Sequence, residues 1–214
     1  MKKTDQLEVD IKNKNKLMYD IKRVKRYFEE VGYKWFTKGD YNLNIVGIRN
    51  TAVGDDVTNS FDDHLILNFN EGGNEKTFIY PITTDPGKHW MNHPLNTNGT
   101  AILVPGQYRS SYIIRKHQNK YDAVCQAKPV RVYRDNDKDD EYDFNPTTIQ
   151  EGIFGINIHR SNPYTESYYI DKWSAGCQVF KKVEDFNEFM DYCYKARSIW
   201  GNSFTYTLIE SDKI

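Results

Sequence analysis

HLILNFNEGGNEKTFIYPI, residues 64–82, holds two short runs of strand-forming residues, HLILNF (64–69) and KTFIYPI (76–82), divided by a Gly- and Asn-rich segment. β-Branched and aromatic side chains favour extended backbone, whereas Gly, Pro, Asn and Asp punctuate it. The same alternation of runs and breakers continues outward. LNIVGI (43–48) precedes it, and TAILV (100–104), AVCQA (123–127) and VRVY (130–133) follow. FTYTLIE (204–210) reads as a closing strand. The expectation is a mainly antiparallel sheet system. Two helices frame it. Leu17, Ile21, Val24, Phe28 and Val31 recur at helical spacing, with Lys22, Arg23, Lys25 and Arg26 opposite and Gly32 as a stop. Glu184 and Asp185 suit the start of a second helix over 183–200, whose buried stripe is Phe186, Phe189, Met190, Cys193 and Trp200, with Gly201 ending it. The predicted organisation is a basic N-terminal arm and helix over 1–39, then a β-rich α+β domain over 40–214.

Composition narrows the function. Lys plus Arg number 29 against 30 Asp plus Glu, a net charge of −1, which disfavours a dedicated nucleic-acid binder. Mean hydropathy is low at −0.78, but aromatic residues make up 14 % of the chain, and their rings bury enough area to build a core. Three cysteines, Cys125, Cys177 and Cys193, are too few and too odd in number for a disulfide framework. No run approaches the roughly 20 apolar residues of a membrane span. The N-terminal MKKTDQLEVDIKNKNK lacks the apolar segment of a secretory signal, so synthesis in the cytoplasm without Sec export is expected. The basic helix face is expected to be solvated, with an acidic protein partner as the other option.

Residues 134–145, RDNDKDDEYDFN, alternate Asp135, Asp137 and Asp139. An EF-hand loop begun there needs Gly at its sixth and Glu at its twelfth position, where this chain has Asp140 and Pro146. A solvated β-turn is therefore expected in preference to an ion site. His89 and His93 lie four apart, but Pro86 and Pro94 flank them in a turn-rich loop, which disfavours a helical zinc pair. No metal and no cofactor is predicted. His64 and His117 carry no signal beyond a surface or strand-end role.

The chemistry concentrates in GIFGINIHRSNPYTESYYIDKWSAGCQVF, residues 152–180. Phe154, Ile156 and Ile158 alternate with Gly155, Asn157 and His159, which predicts a strand delivering His159 at or near its end. Cys177 follows within Ser174-Ala175-Gly176-Cys177, a small-residue turn whose amides can approach a developing oxyanion. A thiol of pKa about 8.5 is only slightly ionised at neutral pH, and an imidazole beside it raises its reactive fraction. Cys177 and His159 thus form a candidate nucleophile–base pair for acyl transfer. Cys125, in an apolar strand, and Cys193, on a helical stripe, read as structural.

FGINIHRS followed by WSAGCQVF resembles the signature of the L,D-transpeptidase (YkuD-like) catalytic domain, in which His precedes an SxGC turn. GTAILVPGQYR (99–109) is similar to the strand and turn that precede the catalytic half in that family. The resemblance implies a β-sandwich or barrel with an N-terminal helix and one helix after the Cys motif. It implies that Cys177 attacks a peptidoglycan stem peptide to form a thioester, with His159 as base and the Cys177 and Gly176 amides holding the oxyanion. Ser161 would orient His159. Ser174 would brace the turn and, with Arg160 and Gln178, face substrate. The chain departs from the motif at Val179, where the family has Arg, leaving Arg160 or Lys181 to meet a substrate carboxylate. Hydrolysis and transpeptidation both fit such a pair. A murein-active enzyme of phage or phage-like origin, released through a membrane lesion or carried in a particle, is the expectation. The alternative is a non-catalytic wall-binding or particle module retaining the fold.

Overall fold

The computed structural model describes residues 19–214. Helix α1 (Ile21–Glu30) begins at Asp20, whose carboxylate accepts the Lys22 amide at 2.9 Å, capping an otherwise unpaired donor. Leu17 and the loose arm expected before it lie outside the described residues. Eleven strands follow: β1 (Asn44–Arg49), β2 (Asp63–Glu71), β3 (Asn74–Thr83), β4 (Thr100–Leu103), β5 (Gly106–His117), β6 (Tyr121–Gln126), β7 (Val130–Asp135), β8 (Gln150–Gly152), β9 (Ile158–Arg160), β10 (Gln178–Phe180) and β11 (Phe204–Glu210). Helix α2 (Lys88–Asn92) lies between β3 and β4, and α3 (Val183–Trp200) between β10 and β11.

Eight strands close a barrel in the order β1-β11-β5-β6-β9-β10-β3-β2, and β4-β7-β8 form a separate sheet. The fold is thus mainly β, as expected from the sequence. Its pairings are antiparallel except β1 with β11 and β9 with β10. Side chains alternate across each strand. Ile45, Leu65, Leu67, Tyr206 and Leu208 face the interior, while Val46, Ile48, Ile66 and Ile209 face outward and are covered by Val24 and Phe28 of α1. The N-terminal helix therefore caps the barrel wall, each fully buried side chain contributing about 1.5–3 kcal/mol. Helix α3 sends Phe186, Phe189, Met190, Cys193 and Ala196 into the interior core. Trp200, expected on this stripe, is instead exposed, and its indole N–H donates to the Asp40 carbonyl.

Two further differences bear on the site. Strand β5, the longest at 12 residues, spans GQYRSSYIIRKH, which has no clean alternation in sequence. It forms because β11 and β6 pair with it on both edges. Within residues 134–145 the solvated turn is confined to Asn136–Glu141, all exposed, whereas Asp135 before it ends β7 opposite Thr100 of β4 and is 1 % exposed.

Candidate active site

The turn bearing Cys177 is fixed from below. At Gly47 a Cβ would lie 1.8 Å from the Tyr206 hydroxyl, so the bare backbone lets Tyr206 lie across the barrel interior. That hydroxyl donates to Gln178 Oε1 at 2.6 Å, and Gln178 Nε2 donates in turn to the Thr84 and Gly176 carbonyls. Gln178 is fully buried, so it braces the turn from the interior instead of meeting substrate as expected. Ser174 is buried too. Its hydroxyl donates to the Cys177 carbonyl at 2.8 Å and accepts the Gly176 amide at 3.2 Å. Gly176 has φ +111°, and a Cβ there would meet the Ala101 carbonyl of β4 at 2.1 Å. Only glycine combines that conformation with that approach.

Cys177 is half-buried and lies in the floor of a cleft of about 540 Å³. His159, 5 % exposed, lines the same cleft from β9. The parallel register sets Val179 beside His159, and Val179 shares its strand face with Cys177 two residues earlier, so nucleophile and base candidates face one way. His159 lies one residue from the end of β9, but that strand is only Ile158–Arg160 and does not reach back to Phe154. Residues 153–157 leave the ladder because Gln126 Oε1 accepts the amides of Phe154 and Ile156, both at 3.0 Å.

His159 Nδ1 meets the Arg160 carbonyl at 2.8 Å; the imidazole donates there, which leaves Nε2 as the basic nitrogen. Ser161 does not orient the ring: it is buried and its hydroxyl donates to the Lys181 carbonyl at 3.1 Å. His117, read from sequence as a surface or strand-end residue, stacks on His159 with ring centroids 4.2 Å apart and lines the cleft. It is held by Asn157 Nδ2 at 3.2 Å from its Nδ1. Burial first, and His117 second, push His159 down to about 3. Burial pushes the Cys177 thiol up to about 11, opposed by the Asn157 amide, which donates to Sγ at 3.4 Å. Sγ itself donates to the Gly155 carbonyl at 3.2 Å. Thiol and imidazole are therefore both neutral at rest.

The Gly176 amide is already engaged by Ser174, so the expected pair of oxyanion donors reduces to the Cys177 amide, which has no partner among the described residues. The cations expected to meet a substrate carboxylate lie elsewhere. The Arg160 guanidinium stacks on the Tyr121 ring at 4.1 Å in a neighbouring groove, and Lys181 pairs with Glu166 at 2.9 Å. Arg134 and exposed Lys172 line the Cys177 cleft instead. Arg134 is tied to Gln150 Oε1 and the Gly99 carbonyl, which leaves Lys172 the freer of the two. Exposed Leu95, Ile153 and Trp173 form an apolar rim. Cys125 and Cys193 are buried within the core. His89 stands on the helical turn α2 and His93 just past its end, their rings stacked at 4.8 Å. The arrangement defines a cysteine–histidine cleft on a barrel wall. Comparison with protein-family models, with curated proteins and with solved structures finds no match to the chain.

Proposed function

We propose that the cleft performs cysteine-dependent acyl transfer, with Cys177 as nucleophile and His159 Nε2 as base, on peptidoglycan stem peptides. The observation that supports this most is the convergence of Cys177 and His159 on one cleft, with Nδ1 of the histidine tied to a backbone carbonyl. The substrate class rests on the resemblance of residues 152–180 to the L,D-transpeptidase motif. In the first step the Cys177 proton passes to His159 as the S–C bond forms. The scissile C–N bond then breaks, and the leaving amine takes that proton. Water or a second amine next attacks the thioester and restores the thiol. Lys172 is the exposed cation available to a stem-peptide carboxylate. Action at the wall requires release or carriage of the protein, as for a phage-like lysis or particle enzyme; no helix among the described residues is long and apolar enough to cross a membrane.

A second reading, a murein-binding module without catalysis, draws support from the thiol pushed up to about 11 and from its backbone hydrogen bonds. Mass spectrometry of muropeptides incubated with the protein and with Cys177→Ala separates the two. New cleaved or cross-linked species that vanish in the variant are expected. Unchanged monomeric and cross-linked muropeptides, with folded protein, would overturn the catalytic reading.

A further inference from the structure

Outside the cysteine cleft, one cluster is electrostatically incomplete. One carboxylate oxygen from each of Asp135, Asp137 and Asp143 lies within 4.8 Å of the other two. Exposed acids often gather without consequence, but Asp135 is 1 % exposed and its two oxygens differ. Oδ2 accepts the Asp143 amide at 2.8 Å, whereas Oδ1 is sealed from solvent with no hydrogen-bond donor. A buried carboxylate oxygen left unpaired costs several kcal/mol, so structures supply it with a proton, a donor or a cation. No side chain supplies one here. None of the ion pairs among the described residues involves these three aspartates. The neighbouring Arg134 is occupied by Gln150 Oε1 and the Gly99 carbonyl.

We propose that Asp135, Asp137 and Asp143 bind a hard divalent cation, Ca²⁺ in preference to a transition metal, at the junction of β7 and the 136–145 loop. All-carboxylate ligation without His or Cys selects such an ion, which binds oxygen at about 2.3–2.6 Å. Further oxygens would come from solvent on the Asp137 and Asp143 side, where an open groove lined by Asn136, Thr147 and Thr148 meets the cluster. The spacing is not that of an EF-hand, which is why the sequence pattern fails to announce it. The ion would pin a loop that carries Asp140, paired with Lys88 at 2.8 Å, and Tyr142, whose hydroxyl donates to the Pro86 carbonyl. The site is independent of any chemistry at Cys177.

The test uses the full chain stripped with EDTA, then titrated with CaCl₂ by calorimetry and by thermal unfolding. One Ca²⁺ per chain is expected, with Tm rising by roughly 5 °C or more at concentrations a hundredfold above Kd. Asp143→Asn removes one charge from a half-buried ligand while keeping its size and shape, so it folds. It is expected to raise the Tm of the stripped protein while lowering Ca²⁺ affinity at least tenfold. Absence of stoichiometric binding up to 10 mM, about tenfold above the Kd of the weakest extracellular calcium modules, would overturn the proposal. An equal Ca²⁺ response in wild type and Asp143→Asn would overturn it too.

Discussion

Thiol reactivity tests the electrostatics of the cleft most directly. An ordinary thiol of pKa about 8.5 is roughly 7 % ionised at pH 7.4. With burial pushing Cys177 up to about 11, its thiolate fraction falls roughly 300-fold below that. The more basic thiolate is the better nucleophile, and a Brønsted slope of about 0.4–0.5 returns about a tenfold gain. The net expectation is alkylation about 20- to 30-fold slower than a surface cysteine at pH 7.4, with a rate that climbs log-linearly to beyond pH 10. Iodoacetamide labelling followed by peptide mass spectrometry resolves Cys177 from buried Cys125 and Cys193. His159→Gln should alter the rate less than threefold, since a neutral imidazole gives a thiolate little support. Fast labelling with a plateau near pH 6–7, abolished by His159→Gln, would refute the reasoning, because it would mean that a thiolate–imidazolium pair exists in the free protein.

Two further outcomes follow from packing. Gly176→Ala forces a Cβ to within 2.1 Å of the Ala101 carbonyl at φ +111°, so about 2–4 kcal/mol of stability and at least tenfold of any acyl transfer should be lost; urea denaturation and muropeptide turnover measure the two. Arg49→Met strips Asp85 of its buried partner at 2.9 Å and removes a donor to the Leu103 carbonyl, which should cost about 3–5 kcal/mol in urea denaturation. A loss under 1 kcal/mol would show that the pair is not sealed from water.

What could be read in advance was whatever lies within one element. Helix α3 was legible because its apolar stripe has one period and Gly201, at φ +86°, breaks it. β11 was legible because FTYTLIE alternates between breakers. The site resisted where it depends on register. His117 reaches His159 only because β5 pairs with β6 and β6 with β9, two ladders that no local pattern announces. Asp135 resembles its exposed neighbours in sequence, and pairing with Thr100 is what buries it. Ser161 and Gln178 flank the motif and invited roles in orienting His159 and in meeting substrate, but both are buried, Ser161 donating to the Lys181 carbonyl and Gln178 lying on the inner face of β10. Motif proximity in sequence located the cleft, whereas the side-chain directions came from the sheet.

Those directions also decide how the cleft could act. One desolvated environment moves the two groups apart, raising the thiol to about 11 and lowering the imidazole to about 3. A proton transfer between groups so separated is uphill by on the order of 10 kcal/mol before the attraction within the ion pair is counted. Burial therefore favours the neutral pair at rest, in contrast to cysteine sites that hold a thiolate in readiness. On the proposed reading, proton transfer must accompany S–C bond formation, and a bound substrate must favour the imidazolium. A stem-peptide carboxylate beside His159 would do so by opposing burial, His117 and the Arg160 charge, the three causes that depress its pKa. Catalysis would then be coupled to recognition of an anionic substrate, and the neutral resting pair would spare the thiol from adventitious oxidation and alkylation.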